Sequence, residues 1–160
     1  MSPPLTAPAW HVLTGEYPPQ PGGVSDYTRQ VVHALARAGQ EVHVWTPGAA
    51  GVHPDVGVTV HRVPGLFTPA GLVRLTRGLD ACRGPRRLLL QYVPHAFGMK
   101  AMNVPFCAWF AARRRDERWV FFHEVVFPWS PRAPLRHQVL AGTHPGPEVH
   151  AVGNVSAACV

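Results

Sequence analysis

An α/β fold, Rossmann-like and doubly wound on a mainly parallel sheet, is what this sequence predicts. Three observations carry that prediction. Short apolar runs alternate with helical patterns in the order β-α-β-β-α-β-α-β, which implies a parallel sheet covered on both faces. Pro and Gly clusters punctuate the boundaries between the runs. The chain has 160 residues, 46% hydrophobic and 15% charged, which suits one globular domain with its own core.

The first strand is expected over Ala9–Thr14, with Trp10 and Val12 on one face and His11 and Leu13 on the other. A proline-rich loop, Gly15 to Gly23, follows. Its prolines restrict φ and so stiffen it. The next pattern, Val24 to Ala38, places Val24, Tyr27, Val31, Leu35 and Ala38 on one helical stripe, with Gly39 at the C′ position. Glu41–Thr46 and Val58–Val63 alternate as strands and are broken by Pro47-Gly48 and Pro64-Gly65. Pro69 opens a helix to about Cys82, with Leu72, Leu75 and Leu79 on its buried side. Leu88–Val93 reads as a buried strand, and Asn103 caps a helix with Pro105 in its first turn and Phe106, Trp109 and Phe110 facing inward. Trp119–Phe122 is the fifth strand, and Glu148–Val152 is expected as a further one. Residues 1–8 are expected to be disordered, 9–152 to form the domain and 153–160 to form a frayed tail.

Ligands of such sheets bind at the carboxyl ends of the strands. The loops after the first, fourth and fifth strands, Gly15–Gly23, Pro94–Asn103 and His123–Pro134, therefore share one edge. Gly22 and Gly23 stand at a helix start, where unpaired N–H groups and the positive end of the helix dipole favour an anion, phosphate above all. A helix start with a glycine cap accounts for the same residues.

Net charge is +6, yet the arginines are scattered. The densest run, Arg113-Arg114-Arg115, lies at a helix end, where cations complement the dipole; a membrane surface is the other reading of it. Without basic residues interleaved with aromatics, a nucleic-acid partner is not expected. Cys82, Cys107 and Cys159 are odd in number and widely spaced, so neither a disulfide framework nor a metal site is expected. The N-terminus lacks the n- and h-regions of a signal peptide, and no run approaches a membrane span. These features suggest a cytoplasmic protein, with peripheral contact to the inner membrane face as an option.

The first turn reads Gly22-Gly23-Val24-Ser25-Asp26-Tyr27 and lacks the G-x-G-x-x-G spacing of dinucleotide enzymes. Neither a P-loop nor a G-x-S-x-G nucleophile elbow is present. Instead GEYPPQPGGVSDYTRQVVHALARAGQEVHVWTP, Gly15 to Pro47, resembles the N-terminal half of retaining GT-B glycosyltransferases, as found in family 4. QYVPHAFGMKAMNVP (Gln91 to Pro105) and FFHE (Phe121 to Glu124) look like later landmarks of the same domain. The resemblance covers about residues 9 to 130.

The resemblance implies one half of a GT-B architecture, the acceptor-side domain, facing a second domain that holds a nucleotide-sugar donor. It implies that Gly22 and Gly23 approach the donor diphosphate and that His123 faces the transferred sugar, with Glu124 as the neighbouring carboxylate. Tyr17, Asp26, Tyr27, Tyr92 and His95 are candidates for acceptor contacts. Tyr27 also fits a packing role on the helix stripe, and Asp26 fits a charge complementing a helix start. The nucleotide sugar is a substrate, and no separate cofactor or metal is expected. The family's E-x7-E pair is missing: Glu117 and Glu124 are seven apart, not eight. The chain thus reads as truncated before its donor domain and inactive alone. A split enzyme completed by a partner chain, or a non-catalytic glycan- or partner-binding module, are the alternatives.

Overall fold

The computed structural model describes residues 7–93 and 103–123 and the backbone of 151–154. Among these residues the elements run β1 (Ala9–Thr14), α1 (Gly23–Arg37), β2 (Val42–Pro47), β3 (Gly51–Asp55), β4 (Val58–Val63), α2 (Pro69–Ala81), β5 (Arg86–Tyr92), α3 (Val104–Ala112), β6 (Glu117–Phe122) and β7 (Ala151–Asn154). The sheet order is β3-β4-β2-β1-β5-β6-β7. The five strands from β4 to β6 are parallel, and the edges β3 and β7 run antiparallel to their neighbours. The chain therefore has the expected α/β, Rossmann-like architecture.

Strand alternation sorts the core into two layers. Val12, Val44, Val60 and Leu89 point to the face covered by α1, with Val32 and Tyr17 packed on them. Leu13, Trp45, Leu88, Leu90 and Val120 point to the opposite face, under Leu72, Leu75 and Leu79 of α2 and Phe106 and Phe110 of α3. Each helix stops and starts where its sequence dictates. Thr68 Oγ1 accepts from Gly71 N and Asn103 Oδ1 from Phe106 N, which caps α2 and α3 ahead of their first-turn prolines. Gly39, at φ 76°, ends α1, with Gly39 N donating to Ala36 O and Gln40 N to Leu35 O. That pair of bonds closes the orphan carbonyls in a Schellman arrangement.

Three expectations need correction. β3 was not expected: Val52, His53 and Pro54 are all exposed, so no apolar alternation marks them, and Pro54 is tolerable because the strand lies at an edge. The buried stripe of α1 is turned by about one residue from Val24, Tyr27 and Val31 to Ser25, Thr28 and Val32. Ser25 can be buried because its hydroxyl donates to Gln20 O at 2.7 Å. β7 (Ala151–Asn154) takes in Gly153 and Asn154, which pair with Val120 and Trp119 rather than lying in a tail, while residues 148–150 of the expected strand lie outside the described residues.

At the end of α3, Arg113 folds inward instead of facing solvent. It donates to Asp80 Oδ1 at 3.0 Å and lies over the Trp109 ring. Among the described residues, no helix is long and apolar enough to cross a membrane. Of residues 1–8, expected to be disordered, 1–6 lie outside the described residues.

Candidate functional site

The strands flanking β1 are reached in opposite directions, β2 by way of α1 and β5 by way of α2, so the topological switch lies between β1 and β5. Ligands of open α/β sheets collect at the carboxyl edge of such a point. Here that edge carries the β1–α1 loop, the end of β5 and the end of β6.

The β1–α1 loop is held in place at several points. Thr14 Oγ1 donates to Glu16 O at 2.9 Å, and Arg62 Nη2 donates to Pro18 O at 2.6 Å. Tyr17 turns down against the α1 face of the sheet, fully buried, and its hydroxyl donates to Asp55 Oδ2 at 2.9 Å. Burial first, then this bond to a carboxylate, raises the Tyr17 pKa. Asp55 in turn meets His33 at 3.1 Å and Arg29 at 3.4 Å. Tyr17 therefore anchors the loop, and its hydroxyl is not presented to an acceptor as expected.

Gly22 and Gly23 differ sharply. Glu16 Oε1 accepts from Ser25 N at 3.1 Å, so a carboxylate of the chain itself occupies part of the positive end of α1. A Cβ on Gly22 would lie 2.4 Å from that same oxygen, so Gly22 is where the backbone makes room for Glu16. A Cβ on Gly23 would meet nothing within 4 Å. The open approach to the helix start is at Gly23. Asp26 stands exposed in the first turn of α1.

At the other side of the edge, His123 N donates to Tyr92 O at 3.1 Å, and His123 Nε2 lies 2.6 Å from Gln91 Oε1. An amide oxygen only accepts, so Nε2 carries the proton and the lone pair of the neutral ring is on Nδ1. Gln91 is buried, and its carboxamide fixes both the tautomer and the angle of the ring. Tyr27 meets the His123 ring edge-on at 5.1 Å and stacks on Phe121 at 5.1 Å. It is 38% exposed, so it belongs to the edge and not to the core stripe. Beside it lies an apolar cleft of about 290 Å³, walled by Trp10, Tyr27, Val31, Leu35, Leu89, Gln91, Trp119 and Phe121.

Of the expected residues, the fold thus brings together Tyr27 and His123. Tyr92 supplies its carbonyl to His123, but its ring packs edge-on to Phe122 at 5.4 Å beside the α2–α3 core; burial chiefly raises its pKa. His95 and Glu124 lie outside the described residues. Two residues were missed. Gln91 is a polar residue ending the run Leu88-Leu89-Leu90, and a buried amide at a strand end is a signal in itself. Glu16 carries no such signal, being one residue of the Gly15–Pro47 motif.

Residues 22–154 match the family model described as the glycosyl transferase 4-like domain, a span that starts at the paired glycines and ends with β7. No curated protein and no solved structure matches the chain. With most of its length inside that match, and with the expected sheet beneath it, the chain belongs to the glycosyl transferase 4-like family.

Proposed function

We propose that this chain is the acceptor-side, N-terminal half of a retaining GT-B glycosyltransferase that transfers a sugar from a nucleotide-sugar donor to an acceptor hydroxyl. The observation that carries the proposal is the convergence, on one sheet edge, of the open α1 start at Gly23 with the His123–Gln91 pair and Tyr27.

Each group has a chemical part in this reading. The leaving diphosphate comes against Gly23, where the absence of a Cβ lets it reach the first N–H groups of α1. His123, held by Gln91, orients the transferred sugar. The acceptor lies along the cleft beside Tyr27 and Phe121, whose aromatic walls suit the apolar face of a sugar ring or an amphiphile. The base and ribose of the donor are held by a second domain facing this edge, on further chain or on a partner. No cofactor or metal takes part in the transfer.

The experiment is a transfer assay over a panel of nucleotide sugars and acceptors, run on the chain alone and on the chain joined to a family donor domain. The reading expects turnover only in the joined form, and loss of it in Gly23→Val with the fold retained. Robust turnover by the isolated chain refutes the two-domain requirement. Full activity of Gly23→Val in the joined form returns the loop to a purely structural role.

A further inference from the structure

A second cluster of polar groups lies on the α2–α3 side of the sheet. His11 and His43 are register partners on β1 and β2, with rings stacked at 4.8 Å and 9° apart. The C-cap residue of α2, Cys82, brings its thiol to them: one ring nitrogen of each histidine and Cys82 Sγ all lie within 4.8 Å of one another. Glu41 Oε1 stands 3.0 Å from His43 Nε2, and His61 Nε2 stands 3.0 Å from His43 Nδ1.

His11 Nε2 points to a ligand. His11 is fully buried, its Nδ1 accepts the Trp45 indole N–H at 3.1 Å, and its Nε2 is buried with no hydrogen-bond partner. An unsatisfied buried nitrogen beside a thiol and a second imidazole calls for an explanation. We propose that His11 Nε2, His43 Nε2 and Cys82 Sγ bind a borderline transition-metal ion, Zn2+ foremost, with Glu41 as the fourth ligand.

The donor set suits that ion, since imidazole and thiolate together select Zn2+ over Mg2+ or Ca2+. Zn–N near 2.0–2.1 Å and Zn–S near 2.3 Å put tetrahedral ligand atoms roughly 3.3–3.8 Å apart. The cluster must therefore close by about 1 Å. The Cys82 thiol can move that far, because the contact of its side chain to Gly78 O is long, at 3.5 Å. His61 supports His43 from behind, as metal-bound imidazoles require of their other nitrogen.

The protons balance. Forming the Zn–S bond displaces the Cys82 thiol proton to solvent. Coordination through Nε2 moves the His11 ring proton to Nδ1 and releases the Trp45 indole N–H from its bond; at His43 it likewise moves the ring proton from Nε2 to Nδ1, which then donates to His61 Nε2 while the His61 proton shifts to Nδ1. His11 and His43 come from two strands and Cys82 from a helix end, toward the amino ends of the strands, and Glu41 directly precedes β2. A bound ion would pin α2 to the sheet and stands apart from the transfer reading.

The test uses the full chain, stripped with a chelator and titrated with Zn2+ alone and with Co2+ alone. The expected result is one ion per chain, release of a proton, a thiolate-to-Co2+ charge-transfer band, and a shifted Trp45 indole N–H resonance. Cys82→Ser and His43→Gln each lower affinity at least tenfold, while Cys107→Ser leaves it unchanged. Absence of saturable binding, or binding without the charge-transfer band and the Trp45 shift, overturns the site. These two signatures are read on the unsubstituted chain, so a variant that fails to fold leaves the test intact.

Discussion

Alanine at the two adjacent glycines of the opening loop should move stability in opposite directions, and the structure says why. At position 22 the new Cβ would stand 2.4 Å from Glu16 Oε1 and 2.8 Å from its carboxyl carbon. The backbone there is extended, φ 163°, so the conformation itself tolerates alanine and the clash is with Glu16 alone. Glu16 must swing away and give up Ser25 N, a bond of 3.1 Å at the positive end of α1. Losing such a capping interaction costs about 1–2 kcal/mol. Removing a glycine from the unfolded chain returns about 0.4–1 kcal/mol. Gly22→Ala should thus destabilise by about 0.5–1 kcal/mol in the parent chain. In a Glu16→Ala background no carboxylate remains to be displaced, and the same change should stabilise by about 0.4–1 kcal/mol. The cycle of four proteins, followed by urea unfolding, should return a coupling of about 1–2 kcal/mol. Gly23→Ala serves as the control: its Cβ meets nothing within 4 Å, and it should be neutral or stabilising in both backgrounds. Equal destabilisation by Gly22→Ala with and without Glu16 would refute the role given to that carboxylate.

Tyr17→Phe removes a buried hydroxyl bonded to a carboxylate, so unfolding should show a loss of about 1.5 kcal/mol, the low end for charged partners because Asp55 keeps His33 and Arg29. The Asp55 carboxyl is subject to burial, which raises its pKa, but the Val56 N–H, the Tyr17 hydroxyl and His33 prevail and lower it below 3.8. A depressed carboxyl contributes stability above its unfolded pKa, and that contribution fades as pH falls below about 4 through the folded value. Stability profiles between about pH 5 and 2 should therefore be flatter in Asp55→Asn than in the parent; superimposable profiles would dismiss the Asp55 cluster as a source of acid lability.

Much of the fold could be read because local preference and burial agree. Thr68-Pro69 and Asn103-Val104-Pro105 carry cap and first-turn residues in the right order, and the leucines of α2 recur on one face. The misses occur where burial is decided by a partner that sequence does not show. Ser25 and Thr28 take the core side of α1 although both are polar, because the loop returns Gln20 O to Ser25 and the aromatic Tyr27 finds Phe121 and His123 at the edge. β3 has no alternation because both of its faces see solvent. Motif and edge position are what single out Gly22, Gly23 and His123 as candidates in the sequence. Gln91 is marked by ending an apolar strand, but its partner His123 lies 32 residues away, and Glu16, bonded to Ser25 N nine residues on, could not be told from an ordinary polar loop residue. The His11–His43–Cys82 cluster is dispersed over three elements and has no spacing to recognise.

The Glu16 carboxylate also bears on how this edge would receive a diphosphate. A helix start left wholly open would bind any anion, sulfate or free phosphate included. Here one donor, Ser25 N, is already taken, and a negative charge stands beside the approach at Gly23. That charge disfavours a free anion and leaves affinity to depend on contacts from the facing domain. Glu16→Gln keeps an acceptor for Ser25 while removing the charge. It should therefore tighten binding of inorganic pyrophosphate to the chain by about five- to tenfold, the equivalent of about 1–1.4 kcal/mol. Titration calorimetry at low and high salt reads the effect, which should shrink as salt screens the removed repulsion. Gly23→Val added to Glu16→Gln should abolish the gain by closing the approach to the helix start. If Glu16→Gln instead left pyrophosphate affinity unchanged, the anion would not be binding at α1, and the diphosphate would have to be placed elsewhere on the edge.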